Sequence, residues 1–258
     1  MLKPLLRVEK LTVSFDGFKA VDELSFCMMP GTVRVLIGPN GAGKSTLLDA
    51  IIGRVRPHSG RIFFKDEEVT WLPEHEIVRR GIVRKFQTPG VLEGLTVAEN
   101  LAIAAAGRQF WWRTLSRSLK SEEKQRVEET LRLIGLERKR HQLASRLAHG
   151  EKQWLEIGMV LAAQAELVLL DEPACGMTHD EAAQTAALIR ELSGERAFLV
   201  IDHDMAFIEQ LNAPVSVLHM GKLLCEGSVE EIRRDPRVLS VYLGRSESSH
   251  DQARSIGA

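Results

Sequence analysis

The chain has 258 residues, of which 44% are hydrophobic and 27% charged, as in an ordinary soluble globular protein with a substantial core. Its formal net charge of −1 excludes a whole-molecule attraction to nucleic acid or to anionic lipid. The three cysteines are far apart and form no C-x-x-C pair, which argues against a disulfide framework or a zinc site. No stretch approaches the roughly 20 apolar residues of a membrane-spanning helix, and the first residues predict no signal peptide.

The N-terminal part of the chain predicts strands around one helix. The stretches LRVEKLTVSF, VDELSFCMM and TVRVLIG are rich in β-forming residues, and the first of them partly alternates between apolar and polar residues. KSTLLDAIIG then has the apolar spacing of a helix and stops at Gly53, a residue type that commonly ends helices. GRIFFKDEEV predicts a further pair of short strands.

Helices are predicted from about Thr88 to Leu161. TVAENLAIAAAG begins with a threonine cap, and SEEKQRVEETLRLIGL begins at Ser121 with acidic residues in its first turn. The apolar runs ELVLLDEP and AFLVIDHD predict buried parallel strands that end in polar residues. SVLHMGKLLCEGS predicts a terminal hairpin, and the polar residues 246–258 predict a mobile tail.

A glycine-rich loop joins the third predicted strand to the first predicted helix. Gly38, Gly43, Lys44 and Ser45 have the G-x-x-x-x-G-K-S spacing of a P-loop, in which backbone N–H groups surround phosphate oxygens. The lysine of such a loop reaches the β- and γ-phosphates, and the serine hydroxyl binds Mg²⁺. The predicted nucleotide-binding residues of this loop are Gly38, Pro39, Asn40, Gly41, Ala42, Gly43, Lys44, Ser45 and Thr46.

The second half of the site is predicted at the end of LVLLDEP. Four apolar residues form a buried strand that brings Asp171 and Glu172 to its carboxyl end. An acidic pair alone is also typical of a helix start, so its significance depends on the P-loop. Asp171 is expected to hold Mg²⁺ through water, and Glu172 to orient and deprotonate an attacking water. A nucleoside triphosphate and Mg²⁺ are therefore the predicted ligands. P-loop kinases and GTPases share these two motifs, and the features that follow select ATP and its hydrolysis.

The order of these motifs resembles that of the ATP-binding subunits of ABC transporters over nearly the whole chain. The resemblance implies that Phe15 in SFDG stacks on adenine, although packing in the core explains this residue equally well. Gln87 in KFQTP resembles the family's glutamine loop, which implies a third Mg²⁺ contact. His203 in LVIDHDM resembles the histidine that contacts the γ-phosphate, and with Glu172 it forms the predicted catalytic pair.

The resemblance also implies the fold. The expected architecture is an α/β P-loop NTPase (RecA-like) core with an N-terminal antiparallel β region and an inserted helical subdomain. Residues 1–245 are predicted to form one ABC ATP-binding domain, with the core at about 1–87 and 162–245 and the helical subdomain at about 88–161.

The stretch LAHGE departs from the family's usual Leu-Ser-Gly-Gly-Gln signature. Gly150 keeps a close backbone approach at a helix N-terminus, but Ala148 lacks the hydroxyl of the usual serine. Glu151 replaces an amide with a carboxylate, which is expected to repel triphosphate unless it turns toward Lys152 or solvent. In the family the signature acts on ATP held by another subunit. The signature residues are Leu147, Ala148, His149, Gly150 and Glu151.

The resemblance extends to one branch of importers. An alanine in the signature is familiar in the branch that resembles branched-chain amino-acid importers. Within it, RRGIVRKFQTP, HGEKQWLEIGM and GMTHDE look most like the urea-importer ATPases, with a branched-chain amino-acid importer as the alternative. The implied partners are two membrane permease subunits, a second and different ATP-binding subunit (or a homodimer in isolation) and, indirectly, an external solute-binding protein. The implied location is peripheral, on the cytoplasmic face of the bacterial inner membrane.

Several local features keep alternative explanations. Thr178 in ACGMTHDE stands where the family often has an aspartate, so polar bonding is expected there without the charge. FWWRTL, residues 110–115, either faces the membrane or, as we favour, packs on neighbouring helices.

A second functional class is a soluble ABC-type ATPase of DNA repair or translation. A single cassette without a coiled-coil insertion disfavours that class. A P-loop kinase leaves LAHGEKQWLEIG and His203 unexplained.

Overall fold

The computed structural model describes residues 3–85, 90–106 and 120–242, which form two β-sheets and a set of helices. The strands are β1 (Leu6–Phe15), β2 (Phe18–Met28), β3 (Val33–Ile37), β4 (Ser59–Phe64), β5 (Glu67–Glu68), β6 (Ile82–Lys85), β7 (Leu167–Asp171), β8 (Ala197–Ile201), β9 (Val215–His219) and β10 (Lys222–Gly227). The α-helices are α1 (Lys44–Ile51), α2 (Glu74–Arg79), α3 (Val97–Ala106), α4 (Ser121–Leu133), α5 (His149–Ala162), α6 (His179–Leu192), α7 (Met205–Leu211) and α8 (Val229–Arg234). Residues 236–242 are also helical.

A six-stranded sheet in the order β10-β9-β3-β8-β7-β6 forms the centre of the fold. All neighbouring pairs are parallel except β10, which pairs antiparallel with β9 as the predicted hairpin requires. Because successive side chains of a strand point to opposite faces, the apolar strands supply two cores at once. In β3, for example, Val35 enters one core and Leu36 the other.

The two cores give the molecule its layers. One core lies between the central sheet, helix α1 and the four-stranded antiparallel sheet β2-β1-β4-β5, and it contains Leu6 of β1 and Leu47 of α1. The other lies between the opposite face of the sheet and the helices, with Leu101 of α3, Leu155 of α5 and Phe207 of α7. Both faces of the sheet are therefore covered, and its parallel strands end together at one edge.

The architecture is the predicted fold class. The antiparallel sheet is supplied by β1, β2, β4 and β5, and helices α3–α5 lie in the chain between β6 and β7, which are neighbours in the central sheet. Gly53 follows α1 with φ 74°, as expected of a residue just beyond a helix end. Across the three described ranges, no helix is long and apolar enough to cross a membrane.

Five of the labelled elements were not predicted from the sequence: α2, β6, α6, α7 and α8. Helices α2 and α8 have six residues each and β6 has four, so each offers too few repeats for a helical or strand period to be seen. The predictions for Gln87, for residues 110–115 and for the tail 246–258 fall outside the described residues. The boundaries proposed for core and helical subdomain stay predictions.

Candidate active site

The loop between β3 and α1 requires glycine at two positions. Gly38 has φ 153° and Gly43 has φ 99°. A Cβ atom on Gly38 would lie 2.2 Å from the carbonyl oxygen of Leu218, and one on Gly43 would lie 2.2 Å from that of Ala20. Both obstacles are backbone atoms, which no rotamer change can move. The loop therefore packs closely on its surroundings and presents its own N–H groups and the N-terminus of α1, a favourable environment for phosphate.

Lys44 begins α1, and its ammonium group lies across the loop. Its Nζ donates to the carbonyl oxygens of Gly38 (2.7 Å) and Pro39 (3.1 Å). The loop and the carboxyl ends of β7 and β8 enclose a cavity of about 180 Å³. The lining residues are Asn40, Gly41, Ala42, Gly43, Lys44, Ser45, Thr46, Asp171, Glu172 and Ile201. The structure thus brings most of the predicted loop residues together with the predicted acidic pair.

A larger cavity of about 580 Å³ lies at the amino ends of β3 and β9. None of these motifs lines it.

The acidic pair makes a sharp turn at the end of β7. The side chain of Asp171 is buried, with 2% exposed. Glu172 follows with a left-handed φ of 49°, a conformation that costs a non-glycine residue about 1–3 kcal/mol. Its N–H donates to the carbonyl oxygen of Ile201 at 2.8 Å, so the last residue of β8 holds the turn in place. The turn keeps Asp171 at the base of the cavity and leaves the Glu172 side chain 36% exposed beside it.

His203 stands next to Glu172, and Asp202 holds the backbone of this turn in place. The Nδ1 of His203 is 3.5 Å from Oε1 of Glu172, and the histidine side chain is 74% exposed. Asp202 is buried, and its Oδ1 accepts hydrogen bonds from the N–H groups of His203 (2.7 Å) and Asp204 (3.0 Å). Burial raises the pKa of the Asp202 carboxyl, although these hydrogen bonds oppose the shift. Asp202 was not predicted as a site residue, and its position at a strand end was the available signal.

Magnesium fits the donor groups at this site. The hydroxyl of Ser45 and the carboxylate of Asp171 line the same cavity, and Mg²⁺ prefers a few protein oxygens together with water and phosphate. In the part of the chain that the structure describes, no three His, Cys, Asp or Glu side chains form a metal cage.

Asp171 has an unforeseen neighbour in Arg84. The Nη2 of Arg84, on β6, donates to Oδ2 of Asp171 at 2.7 Å. Arg84 also donates from Nη1 to Asp49 of α1. No sequence motif pairs Arg84 with Asp49 or Asp171, because the three residues are far apart in the chain and meet only in the folded structure.

The signature residues lie outside the cavity, at the N-terminus of α5. Ala148 is the residue before the helix and is exposed, while Gly150 is buried. A Cβ atom on Gly150 would lie 2.3 Å from Oε1 of Glu181, so glycine leaves room for this carboxylate at the N-terminus of α6. The Nε2 of His149 is 3.2 Å from the carbonyl oxygen of Cys175, to which Gln153 also donates at 2.9 Å. The signature turn is thereby attached to the loop that follows β7.

The carboxylate of Glu151 does not pair with Lys152, the partner named from the sequence. One carboxylate oxygen accepts from the N–H of Ala148 at 3.1 Å, and the other pairs with Nζ of Lys139. Lys152, the expected partner, instead pairs with Glu93 at 2.8 Å. Consecutive helical residues do not face each other, which explains why Lys152 is out of reach. The carboxylate thus serves as a helix cap and a local ion pair, and its side chain is only 18% exposed.

Two further predicted residues have clear local settings. Phe15 ends β1 opposite Phe18 and is 47% exposed, so it does not belong to the buried core, and its role toward adenine stays a prediction. Thr178 caps α6, since its hydroxyl oxygen accepts from the N–H of Glu181. In return Glu181 accepts from the N–H and hydroxyl of Thr178, and these bonds lower the pKa of the Glu181 carboxyl.

Comparison with known proteins defines the class. Residues 21–175 match the family model described as ABC transporter. The chain belongs to the ABC transporter family, whose ATP-binding cassettes hydrolyse ATP to power transport. Residues 222–248 match a second model, described as branched-chain amino acid ATP-binding cassette transporter. That segment includes Tyr242, which is 46% exposed and whose partial burial raises the pKa of its hydroxyl.

The chain is similar to individual ATP-binding proteins and to solved ATP-binding cassettes. The chain is 35% identical over 256 residues to the high-affinity branched-chain amino acid transport ATP-binding protein LivG of Escherichia coli K12, covering 95% of this chain and 100% of that protein. It is 33% identical to the corresponding BraF protein of Pseudomonas aeruginosa, with 95% and 100% covered. Among solved structures, an ATP-binding cassette of an ABC transporter in its ADP conformation has a TM-score of 0.84 at 29% identity, covering 94% of this chain and 99% of that one.

Proposed function

We propose that this chain is the motor subunit of an ABC importer of the branched-chain amino-acid branch. The observation that carries the proposal is the cavity that Lys44, Ser45, Asp171 and Glu172 line together, with His203 beside it. The match of residues 222–248 to the branched-chain cassette model supports the branch.

Each side chain of the cavity has a proposed role in hydrolysis. Lys44 and the loop N–H groups bind the phosphates, and Ser45 and Asp171 would hold magnesium. Magnesium, when bound, neutralises charge on the β- and γ-phosphates. Glu172 is proposed to accept a proton from the attacking water, and His203, beside it, to contact the terminal phosphate. Phe15 is proposed to stack on adenine and Gln87 to complete the metal contacts.

The signature turn is proposed to act on ATP bound to another cassette subunit. Ala148 and His149 are exposed at the positive end of α5, and they lie outside this chain's own phosphate cavity. Glu151 does not oppose this role, since its charge is paired with Lys139. Hydrolysis would then require a dimer of cassettes, with this chain beneath two membrane permeases at the cytoplasmic face of the inner membrane. An external binding protein would deliver the solute.

Two solute classes remain, and the relatives favour one of them. LivG and BraF carry names of branched-chain amino acid transport, which supports that class for this chain and favours it over the predicted urea. Urea is retained as the second candidate because RRGIVRKFQTP, HGEKQWLEIGM and GMTHDE resemble urea-importer ATPases. No residue of a cassette is expected to touch the solute, so the cavity itself does not choose between them.

Uptake of labelled leucine and labelled urea by cells lacking the chain tests the proposal. Cells are complemented with the intact chain, with Lys44→Ala or with Lys124→Ala, a matched change at an exposed lysine of α4. Leucine uptake restored by the intact chain and Lys124→Ala, but not by Lys44→Ala, is the expected result. The same pattern for urea alone would reverse the choice of solute. Equal uptake of both solutes with and without the chain would contradict the transport role.

A further inference from the structure

Arg84 lies between two carboxylates that belong to different parts of the site. From β6, its Nη1 donates to Oδ1 of Asp49 at 2.5 Å and its Nη2 donates to Oδ2 of Asp171 at 2.7 Å. The side chain of Arg84 is 8% exposed, that of Asp171 is 2% exposed and that of Asp49 is 28% exposed. The guanidinium is therefore a buried bridge rather than a surface ion pair.

The bridge fixes the orientation of Asp171. A guanidinium group is planar and permanently charged, so its two terminal nitrogens position both partner oxygens at once. Because Oδ2 of Asp171 accepts from Arg84, Oδ1 is the oxygen that can face a magnesium-bound water. A carboxylate without this contact would be able to rotate and exchange its two oxygens.

Asp49 connects the same bridge to α1. It lies four residues after Ser45, so the two residues are one turn apart on the same side of the helix. Ser45 and Asp171 are the described residues proposed to bind magnesium. Arg84 thus ties the helix that carries one of them to the strand that carries the other.

We propose that Arg84 is a positioning residue that holds Ser45 and Asp171 at the separation that magnesium requires. It then sets the affinity for magnesium in the presence of nucleotide, rather than the affinity for nucleotide alone. This inference rests on the proposed ATPase function. The competing explanation is stability alone, because a buried ion pair that loses one partner destabilises a fold wherever it lies.

Three variants separate the two explanations. Arg84→Lys keeps the buried charge but replaces the planar pair of donors with one ammonium group, and Arg84→Met removes the charge. Arg34→Met is the matched control, because Arg34 also pairs with a glutamate, Glu226, from a strand of the central sheet but does not line the phosphate cavity. Each full-length protein is titrated with a fluorescent non-hydrolysable ATP analogue, first in EDTA and then in increasing magnesium. Thermal unfolding is recorded for each.

The two Arg84 variants are expected to bind the analogue in EDTA as the intact chain does, but to need about tenfold more magnesium for half-maximal enhancement of binding. Arg34→Met should keep the normal magnesium requirement whatever its melting temperature. A lowered melting temperature with a normal magnesium requirement in both Arg84 variants would overturn the inference. If Arg84→Met does not fold, Arg84→Lys decides, supported by Asp49→Asn, for which a smaller shift of the same sign is expected. Failure of the intact chain to bind the analogue would instead contradict the proposed function.

Discussion

The phosphate cavity and the signature turn are built by different physical means. In the cavity, backbone geometry dictates the residues: Gly38, Gly43 and Glu172 all have positive φ, and carbonyl groups crowd both glycines. The signature turn is an exposed helix N-terminus held by side-chain contacts, such as Glu151 with Lys139 and His149 with the carbonyl of Cys175. Residues fixed by backbone geometry tolerate little change, whereas side-chain contacts can be exchanged. We therefore expect large effects from substitutions in the cavity and graded effects in the signature turn.

The largest effect is expected from Glu172→Gln. The amide keeps the size of the side chain but cannot accept a proton from water, so ATP turnover by the assembled transporter should fall by about 10²- to 10⁴-fold. Binding of ATP should be retained, since Lys44 and the loop are unchanged. Steady-state phosphate release and equilibrium ATP binding measure the two quantities. Turnover equal to that of the intact protein would remove Glu172 from the role of base.

The second largest effect is expected on the stability of the protein when a glycine of the phosphate loop is replaced. Gly43→Ala places a methyl group 2.2 Å from the carbonyl oxygen of Ala20, and we expect it to lower the free energy of unfolding by about 3 kcal/mol. Gly41→Ala is the matched control, because Gly41 also has a positive φ of 79° but open space around its Cβ position. Its expected loss is about 1–2 kcal/mol. Equal losses in urea denaturation of the two variants would mean that close packing does not constrain the loop.

The residues that line the cavity were far easier to predict from the sequence than the residues that hold them in place. The P-loop, Asp171, Glu172 and His203 stand in short motifs beside apolar strands, so local pattern was enough to locate them. Arg84, Asp49 and Asp202 act through contacts across the fold: Arg84 is 35 residues from Asp49 and 87 from Asp171. No period or motif in one sequence announces such pairs. The ion pair between Glu151 and Lys139 was also not predicted. Lys139 lies in a short 3₁₀ turn ahead of the helix, so the spacing of residues along α5 does not reveal it.

In the signature turn we expect a gain rather than a loss. Ala148→Ser supplies a hydroxyl at the residue before α5, where Glu151 already accepts from the N–H of residue 148, and should raise the free energy of unfolding by about 1 kcal/mol. If the signature reaches a partner's ATP, turnover of the assembled transporter should also rise, by at most about tenfold. Ala163→Ser, at the other end of α5, is the control and should give neither change. No stabilisation by the serine at residue 148 would contradict the capping geometry.

The smallest effect is a pH dependence that comes from Asp202. Burial raises the pKa of this carboxyl in the folded state, so the folded protein holds the proton more tightly than the unfolded chain. Its contribution to stability is therefore complete below the unfolded pKa, about 4, and is lost as pH rises through the folded pKa. The stability of the intact chain relative to Asp202→Asn should accordingly decrease as pH rises above about 4 and then level off.

The pKa of Asp235 is shifted in the opposite direction from that of Asp202. Its hydrogen bond from Arg237 lowers the pKa of the carboxyl to about 2. Its stabilising contribution is present above the unfolded pKa and is lost as pH falls toward about 2. Urea denaturation of the intact chain and of both asparagine variants at a series of pH values measures how each difference in the free energy of unfolding changes with pH. Slopes of the same sign for Asp202→Asn and Asp235→Asn would contradict the assigned environments.

Equilibrium binding of ATP to the purified full-length chain and to Lys44→Ala tests the central claim most directly. One ATP is expected to bind per intact chain, and loss of the charge-assisted contacts of the lysine should weaken binding by about 10- to 100-fold. Lys124→Ala should bind as the intact chain does. Equal affinity of the intact chain and Lys44→Ala, or no binding to either, would contradict the assignment of this cavity as the ATP site.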